Sequence, residues 1–276
     1  MRKLLRANLF RLLRDRVFQL ALAVMFLLGT ALPVIHALDN LNNGEAWTPD
    51  ASCFVFAIPA PILLSVVTAL FVGSEYSEGT LRNKIIAGHR RPVIYLANLT
   101  VGAAAGLAVC FAYLLPHTIL SLTLLGRFEN GMQTLLLYAA LNAALSAAFA
   151  ALFTLIAMLC PNKAYSTAGC ILLVFALLFA GVSITSALNE PEYYSGYSYT
   201  ENGVTTTEEP MRNPNYLEGT KRRVYEFMQD FTPGGQMLQL ANMHTEKPAL
   251  LALYDGIILL AATGGGIVFF RRRNLK

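Results

Sequence analysis

Charged side chains are scarce in this sequence. They make up 14% of its 276 residues, whereas soluble domains carry about 25%. Hydrophobic residues make up 55%, and the mean hydropathy is positive. This composition excludes an ordinary soluble domain and predicts an integral membrane protein. The net charge of +4 is too small and too unevenly spread to indicate binding to nucleic acid.

The sequence also lacks motifs for catalysis or metal binding. It contains no GxxxxGK(S/T) phosphate loop, no HExxH and no GxSxG. Its four cysteines lie in or beside apolar runs, without CxxC or Cys/His spacing, which predicts apolar packing and not a zinc site. We therefore expect no catalytic residue, no metal and no cofactor bound by this chain. The cysteines are Cys53, Cys110, Cys160 and Cys170, and the histidines, which fall in different layers, are His36, His89, His117 and His244.

Long apolar runs are abundant instead. A transmembrane helix needs about 20 apolar residues, and six runs meet that requirement. We predict an all-α integral membrane protein with six transmembrane helices, an N-terminal amphipathic interface helix, a cytoplasmic coupling helix and a large extracellular segment between helices five and six. The predicted spans cover residues 17–38, 54–72, 93–125, 132–159, 164–188 and 249–270.

Residues 1–16 have the pattern of a basic amphipathic helix. We predict that this helix lies along the inner membrane surface. A cleaved signal peptide is the alternative, but the basic region is long and no small-x-small cleavage site follows the first apolar run. The leucines at helical spacing are Leu5, Leu9, Leu12 and Leu13, and the basic residues are Arg2, Lys3, Arg6, Arg11, Arg14 and Arg16.

Prolines interrupt two of the predicted spans. Pro59 and Pro61 predict a kink in the outer half of the second span. The third apolar run is longer than one crossing needs, so that span is tilted, extended beyond the membrane, or broken at Pro116.

The basic residues fix the predicted orientation. Fifteen of the 21 Lys and Arg residues fall on segments at one side of the six spans. Because cytoplasmic loops carry an excess of these residues, we expect a multi-pass protein of the cell membrane with both termini in the cytoplasm. Residues 189–248 then form the extracellular segment, with a loop or small β-hairpin over 193–207 and helical pieces over 225–240 split at Pro233-Gly234-Gly235. Residues 249–276 complete the chain as the last span and a basic tail.

One polar stretch, residues 73–92 with the sequence GSEYSEGTLRNKIIAGHRRP, separates the second and third spans. Ionised groups are costly in hydrocarbon, so this stretch lies in water. We predict a short amphipathic helix over residues 78–87, with Leu81, Ile85 and Ile86 as its apolar stripe and Gly88 as its end. The plainer alternative is a solvated turn whose charges only fix the orientation.

This stretch carries a resemblance to a known family. Residues 75–84, EYSEGTLRNK, followed by Gly88, Arg91 and Tyr95-Leu96-Ala97, resemble the coupling-helix segment of ABC-2-type permeases, the membrane subunits of ABC exporters. In that family the segment docks onto a separate ATP-binding subunit. The resemblance implies that ATP and Mg bind to that partner, that a second permease copy (identical or related) completes the transporter within the lipid bilayer, and that transport proceeds by alternating access.

The resemblance also implies particular site residues and a class of substrate. In this family the second and fifth spans commonly face the dimer axis, although aromatic residues in spans are also ordinary core or lipid contacts. The expected substrate is an amphiphile such as an antimicrobial peptide. Export of a drug, a lipid-like compound or an ion, or a non-transporting sensor or scaffold, are the alternatives. The expected ATPase contacts are Glu75, Thr80, Leu81, Arg82, Lys84, Ile85 and His89, and the expected apolar pathway residues are Phe54, Phe56, Phe71, Phe175 and Phe179.

Three polar residues within the predicted spans are candidate sites. Asp255 is either functional or shallow enough to meet water, Asn142 or Ser121. His117 is either a proton or ligand site, or it satisfies carbonyls freed by the neighbouring proline. We expect Asn98 to form hydrogen bonds between helices.

Overall fold

The computed structural model describes residues 2–44, 46–194, 198–201, 204–207 and 210–273. Within these residues the chain forms ten α-helices, two 3₁₀ turns and two small antiparallel sheets. The helices are α1 (Arg2–Leu13), α2 (Arg16–Asn43), α3 (Pro59–Ser77), α4 (Thr80–Ile86), α5 (Arg91–Leu124), α6 (Met132–Leu159), α7 (Lys163–Leu188), α8 (Gly219–Phe231), α9 (Pro233–Ala241) and α10 (Pro248–Arg272).

Six of these helices are long and apolar enough to cross a membrane: α2, α3 with the turns before it, α5, α6, α7 and α10. The predicted all-α architecture with six apolar helices is therefore confirmed. Local capping explains several boundaries. The Asp15 side chain accepts hydrogen bonds from the first backbone N–H groups of α2, and Asn162 does the same for α7.

The predicted kink at Pro59 is wrong. The 3₁₀ turns Pro49–Ser52 and Val55–Ala57 precede α3, and the helix begins at Pro59 itself. Proline is favoured in the first turn of a helix because its missing N–H would have no intrahelical partner there. Pro116, in contrast, lies inside the continuous 34-residue helix α5, so the third span is not broken. At 1.5 Å per residue α5 is about 50 Å long, which exceeds the hydrocarbon thickness.

The helices form a layered bundle. More than half of the central residues of α3, α5 and α6 are buried, against 22–28% for α2, α7 and α10. The first three helices are thus the core, and the other three surround it with apolar side chains facing outward. Gly106 lets α5 approach α6 closely, since a Cβ there would lie 2.2 Å from the Ser146 Oγ.

The segment between α7 and α10 has structure of its own. Strand β1 (Tyr193–Tyr194) pairs with β4 (Met211–Arg212), and β2 (Ser198–Glu201) pairs with β3 (Val204–Thr207). The predicted hairpin is therefore confirmed, although residues 195–197, 202–203 and 208–209 lie outside the described residues.

The predicted break between two helices of this segment is also confirmed. Helix α8 ends at Phe231 and α9 begins at Pro233. A Cβ at Gly234 would lie 1.7 Å from the backbone oxygen of Leu177, so this turn packs directly on α7. The polar segment is thus attached to the bundle and is not a free loop.

Candidate functional site

The short helix α4 is attached closely to the end of α3. Glu78 caps α3, and Gly79 adopts the left-handed conformation (φ 67°) before α4 starts at Thr80. The Thr80 hydroxyl donates a hydrogen bond back to the carbonyl of Glu75 at 3.3 Å. Because Gly79 turns the chain, α4 covers residues 80–86 and is shorter than the predicted 78–87.

Glu75 lies at the centre of a buried ion cluster below α4. Its side chain is fully buried, and its Oε1 accepts hydrogen bonds from Lys84 Nζ at 2.5 Å and from Arg11 at 2.8 Å. Its Oε2 accepts from Asn98 Nδ2 at 3.0 Å. A buried carboxylate is tolerated only when its lone pairs are satisfied in this way.

A second layer of contacts closes the cluster. Asn8 donates to Asn98 Oδ1 at 2.8 Å and accepts from Lys84 Nζ at 3.0 Å. We call Asn8, Arg11, Glu75, Lys84 and Asn98 the Glu75 cluster. It joins α1, α3, α4 and α5, and Asn98 makes the hydrogen bonds between helices that were expected of it.

Within the cluster, two effects shift the pKa of Lys84 in opposite directions. Burial lowers the pKa of the Lys84 ammonium, because the charged form loses solvation. The Glu75 carboxylate opposes that shift, both by its charge and by the hydrogen bond. The ammonium therefore depends on Glu75 for its charge compensation.

Helix α1 packs on protein along one face. Leu4, Asn8 and Leu12, each four residues apart, are buried, and α1 contacts α5. Arg11 also lies over the ring of Phe71, with its guanidinium carbon 3.9 Å from the ring centroid. The buried face of α1 differs from the predicted apolar stripe at Leu13, which is 62% exposed.

The predicted ATPase contacts differ in their exposure. The side chains of Glu75 and Leu81 are buried, and Lys84 points into the Glu75 cluster, so these three do not lie on a surface open to a partner. Arg82 is exposed, whereas Thr80, Ile85 and His89 are half-buried.

A different surface is available on the other side of α4. Arg82, Asn83 and Ile86 are exposed there, Ile86 to 74%, and we call them the outer face of α4. The spacing of the apolar residues in the sequence already indicates that Ile86 lies on a different side of α4 from Leu81 and Ile85. Leu81 and Ile85 are four residues apart and share a face, whereas Ile86 is turned 100° away from Ile85.

The basic tail lies at the same end of the bundle. Arg91 donates to the backbone oxygen of Arg271 at 2.8 Å, and Arg273 donates to that of Met158 at 3.0 Å. The Tyr76 hydroxyl also donates to the Met158 oxygen. These bonds join the ends of α3, α5, α6 and α10. We call the end that carries α1, α4 and this tail the basic end.

The five phenylalanines of the predicted pathway are not brought together in one chain. Phe54 and Phe56 are buried in the core, 6.0 Å apart between ring centroids. Phe71 lies under Arg11 at the basic end. Phe175 and Phe179 lie on the exposed side of α7, 37% and 66% exposed. These five side chains therefore do not form one continuous apolar path within a single chain.

His117 belongs to a polar group at the opposite end of the core. It is fully buried, and its Nε2 lies 2.9 Å from the Ser52 Oγ, which is 3.3 Å from His36 Nδ1. Tyr113 stacks on His117 with ring centroids 5.3 Å apart and donates to the Ser52 carbonyl at 2.6 Å. The histidine thus contacts the hydroxyl of Ser52 in the first 3₁₀ turn, which is not one of the carbonyls freed by Pro116.

The side chain of Asp255, in contrast to that of His117, has no polar partner among the described residues. Its side chain is 2% exposed, and neither carboxylate oxygen has a hydrogen-bond partner among the described residues. The expected partners are engaged elsewhere: Asn142 donates to the Tyr138 carbonyl, and the Ser121 hydroxyl lies 3.5 Å from His117. The structure therefore gives Asp255 no hydrogen bond to Asn142 or Ser121, the two neighbours that the sequence suggested.

Within the part of the chain that the structure describes, no group of three or more His, Cys, Asp or Glu side chains could hold a metal ion. A scan against protein-family models finds no matching family, and a search of curated proteins finds no match. The resemblance to ABC-2-type permeases therefore depends on residues 75–97 and on the order of the six apolar helices.

Proposed function

We propose that this chain is the permease subunit of an ATP-driven ABC exporter and that α4 is its contact with a separate ATP-binding subunit. The observation that carries the proposal is the two-sided character of α4. Its inner side is fixed through Lys84 to the buried Glu75, and its outer face is open. In this proposal the basic end faces the cytoplasm, in agreement with its content of Lys and Arg.

The attachment of α4 suits it to transmit movement. Only Glu78 and Gly79 separate it from α3, and the Glu75 cluster binds it to α1 and α5 as well. Removing one partner of a buried ion pair costs about 3–5 kcal/mol, so α4 does not swing freely against this cluster. A push on α4 would therefore displace α3 and α5 together, and both are core helices.

The outer face of α4 has the chemistry of a small protein interface. Ile86 is an exposed apolar centre, with Arg82 one turn before it and Arg90 close after it. Interfaces commonly combine an apolar anchor with arginine and a polar rim. The partner of this chemistry would offer an apolar groove with acidic residues. ATP and Mg would bind to that partner.

The remaining parts of the transporter follow from the same proposal. A second permease copy, identical or related, would pack beside this one within the bilayer. The substrate would be an amphiphile, such as an antimicrobial peptide, because the helices that would border a transport pathway are apolar. Substrate recognition would then need both copies, since the five phenylalanines do not meet within one chain.

Co-purification tests the proposal. The variant Arg82→Glu with Ile86→Ser removes the anchor and reverses the neighbouring charge without touching the Glu75 cluster. We expect it to lose binding to the ATP-binding subunit and stimulation of ATP hydrolysis, with unchanged thermal stability of the permease. Arg127→Glu, an exposed reversal at the opposite end of the bundle, is the matched control. Equal binding by the double variant and this control would remove α4 from the contact.

A further inference from the structure

Helix α8 has two chemically distinct faces. At 100° per residue, Val224, Phe227, Met228 and Phe231 share one side. Arg222, Glu226, Gln229 and Asp230 share the opposite side, at helical spacing i, i+4, i+7 and i+8. In a water-exposed helix of a soluble protein the apolar side faces the core and the polar side faces solvent.

The polar side of α8 faces the protein. Arg222, Glu226, Gln229 and Asp230 line a cavity of about 510 Å³. The Gln229 side chain donates to the Thr185 hydroxyl of α7 at 3.1 Å, and Gln239 of α9 donates to Asp230 Oδ1 at 3.1 Å. The polar side of the helix is therefore bound inward, to α7 and α9.

The apolar side of α8 faces away from the protein. Val224 is 50% exposed, Phe227 52% and Met228 40%, and no residue of α8 is buried. The amphipathic pattern is thus inverted relative to a helix in water. An inverted pattern is stable where the surroundings are apolar, because exposed hydrocarbon side chains then avoid water.

Tyr254 fixes the position of α8 along the bundle. Its ring contacts those of Phe227 and Phe231, with centroids 5.9 Å and 5.3 Å apart. Tyr254 lies in the second turn of α10, about 9 Å from the start of that membrane-length helix. Its neighbours Leu253 and Ile257 are 57% and 45% exposed. The apolar side of α8 is therefore continuous with the outward apolar surface of α10.

Basic residues border this apolar side. Lys221 and Arg223 are exposed, and by helical rotation they flank Phe227 and Met228 on either side. Long basic side chains at such positions reach lipid phosphates while their stems stay on apolar surface. Charge and apolar surface together match a phospholipid leaflet.

We propose that α8 lies in the membrane interface at the end opposite α4, with Val224, Phe227 and Met228 in the acyl-chain region. Its polar side then closes the 510 Å³ cavity against the lipid. The occupant of the apolar side is the bilayer itself. The inference requires only a membrane-spanning bundle and does not depend on coupling to an ATPase.

The single tryptophan of the chain allows a direct test. In a Trp47→Phe background, Phe227→Trp places the only indole on the apolar side, and Glu226→Trp places it one residue earlier, on the cavity side. The full-length variants are reconstituted in phosphatidylcholine vesicles with or without bromine in the acyl chains. We expect brominated lipid to reduce the Phe227→Trp emission at least twofold more than that of Glu226→Trp. Iodide in the buffer should have the opposite order of effect.

Two results would overturn the proposal. Quenching of the position 227 indole by iodide but not by brominated lipid would place this side in water. Quenching by neither would mean that a second copy or another protein covers it. Met228→Trp, on the same side, provides a second reporter if Phe227→Trp does not elute as the wild-type protein does, and the same two outcomes apply to it.

Discussion

Replacing Glu75 by glutamine tests the Glu75 cluster directly. The substitution keeps the shape of the side chain but removes the only negative charge of the cluster. Lys84 and Arg11 then lose their carboxylate while their side chains are 15% and 30% exposed. Breaking a buried ion pair from one side costs about 3–5 kcal/mol. We take the lower end, about 3 kcal/mol, because the partly exposed Arg11 recovers some solvation.

The free cysteines provide the assay. Cys53, Cys110 and Cys170 are buried, so a thiol-reactive dye reports on thermal unfolding of the purified protein. At about 2–4 °C per kcal/mol for a protein of this size range, Glu75→Gln should lower Tm by about 6–12 °C. Glu218→Gln breaks an exposed pair with Arg212 and should change Tm by no more than about 4 °C.

A second substitution separates charge from shape. In the Glu75→Gln background, Lys84→Met removes the cation that was left without a carboxylate. We expect it to recover part of the lost stability, so the two changes should be clearly non-additive. A Tm for Glu75→Gln within about 2 °C of the wild-type value, or simple additivity of the two changes, would refute the account of a cluster held together by its central carboxylate.

Two further predictions concern packing and burial. Gly234→Ala should destabilise the protein by about 1–3 kcal/mol, because the new Cβ meets a backbone oxygen of α7. Gly264→Ala, with open space around the new Cβ, should not destabilise it. Equal Tm values for the two variants in the dye assay would contradict the close approach of Gly234 to α7. Asp255→Asn should leave Tm unchanged or raise it, since the carboxylate has no hydrogen-bond partner among the described residues and the amide removes an ionisable group. A loss of stability above about 2 kcal/mol would mean that the carboxylate has a partner in the folded protein.

Much of the bundle was predictable because apolar runs report directly on membrane-length helices. The run over residues 132–159 gave the bounds of α6, and Pro233-Gly234-Gly235 gave the break between α8 and α9. Pro59 was misinterpreted, because hydropathy does not distinguish a proline that begins a helix from one that bends it. The 3₁₀ turn Val55–Ala57 just before it continues the apolar run without a change in composition.

The site was less predictable because its partners are distant in sequence. Glu75 looks like one of several charges in a polar stretch, and only tertiary structure brings Arg11 and Asn98 to it. A charged residue in such a stretch is ordinarily exposed. The periodicity of α8 was similarly incomplete as a signal, since it defines two faces but does not determine which one is turned toward the protein.

The two ends of the core are connected by one continuous helix. On α5, Asn98 contacts Glu75 at the basic end, and His117 contacts Ser52 at the other. Asn98 and His117 are 19 positions apart on the helix, a distance of about 28 Å, close to the thickness of the hydrocarbon core. Ser52 lies in the first 3₁₀ turn on the path into α3, the helix that ends near α4.

Two polar contacts therefore join α5 to this part of the chain: the Glu75 cluster at the end of α3, and Ser52 in the 3₁₀ turn that precedes α3. Under the proposed function, a displacement of α4 would reach both contacts without passing through a flexible loop. The 3₁₀ turns are the weak point of this path, since their hydrogen-bond geometry is poorer than that of an α-helix. A movement that begins at α4 would be expected to change structure first at residues 49–58, directly across the membrane from the Glu75 cluster.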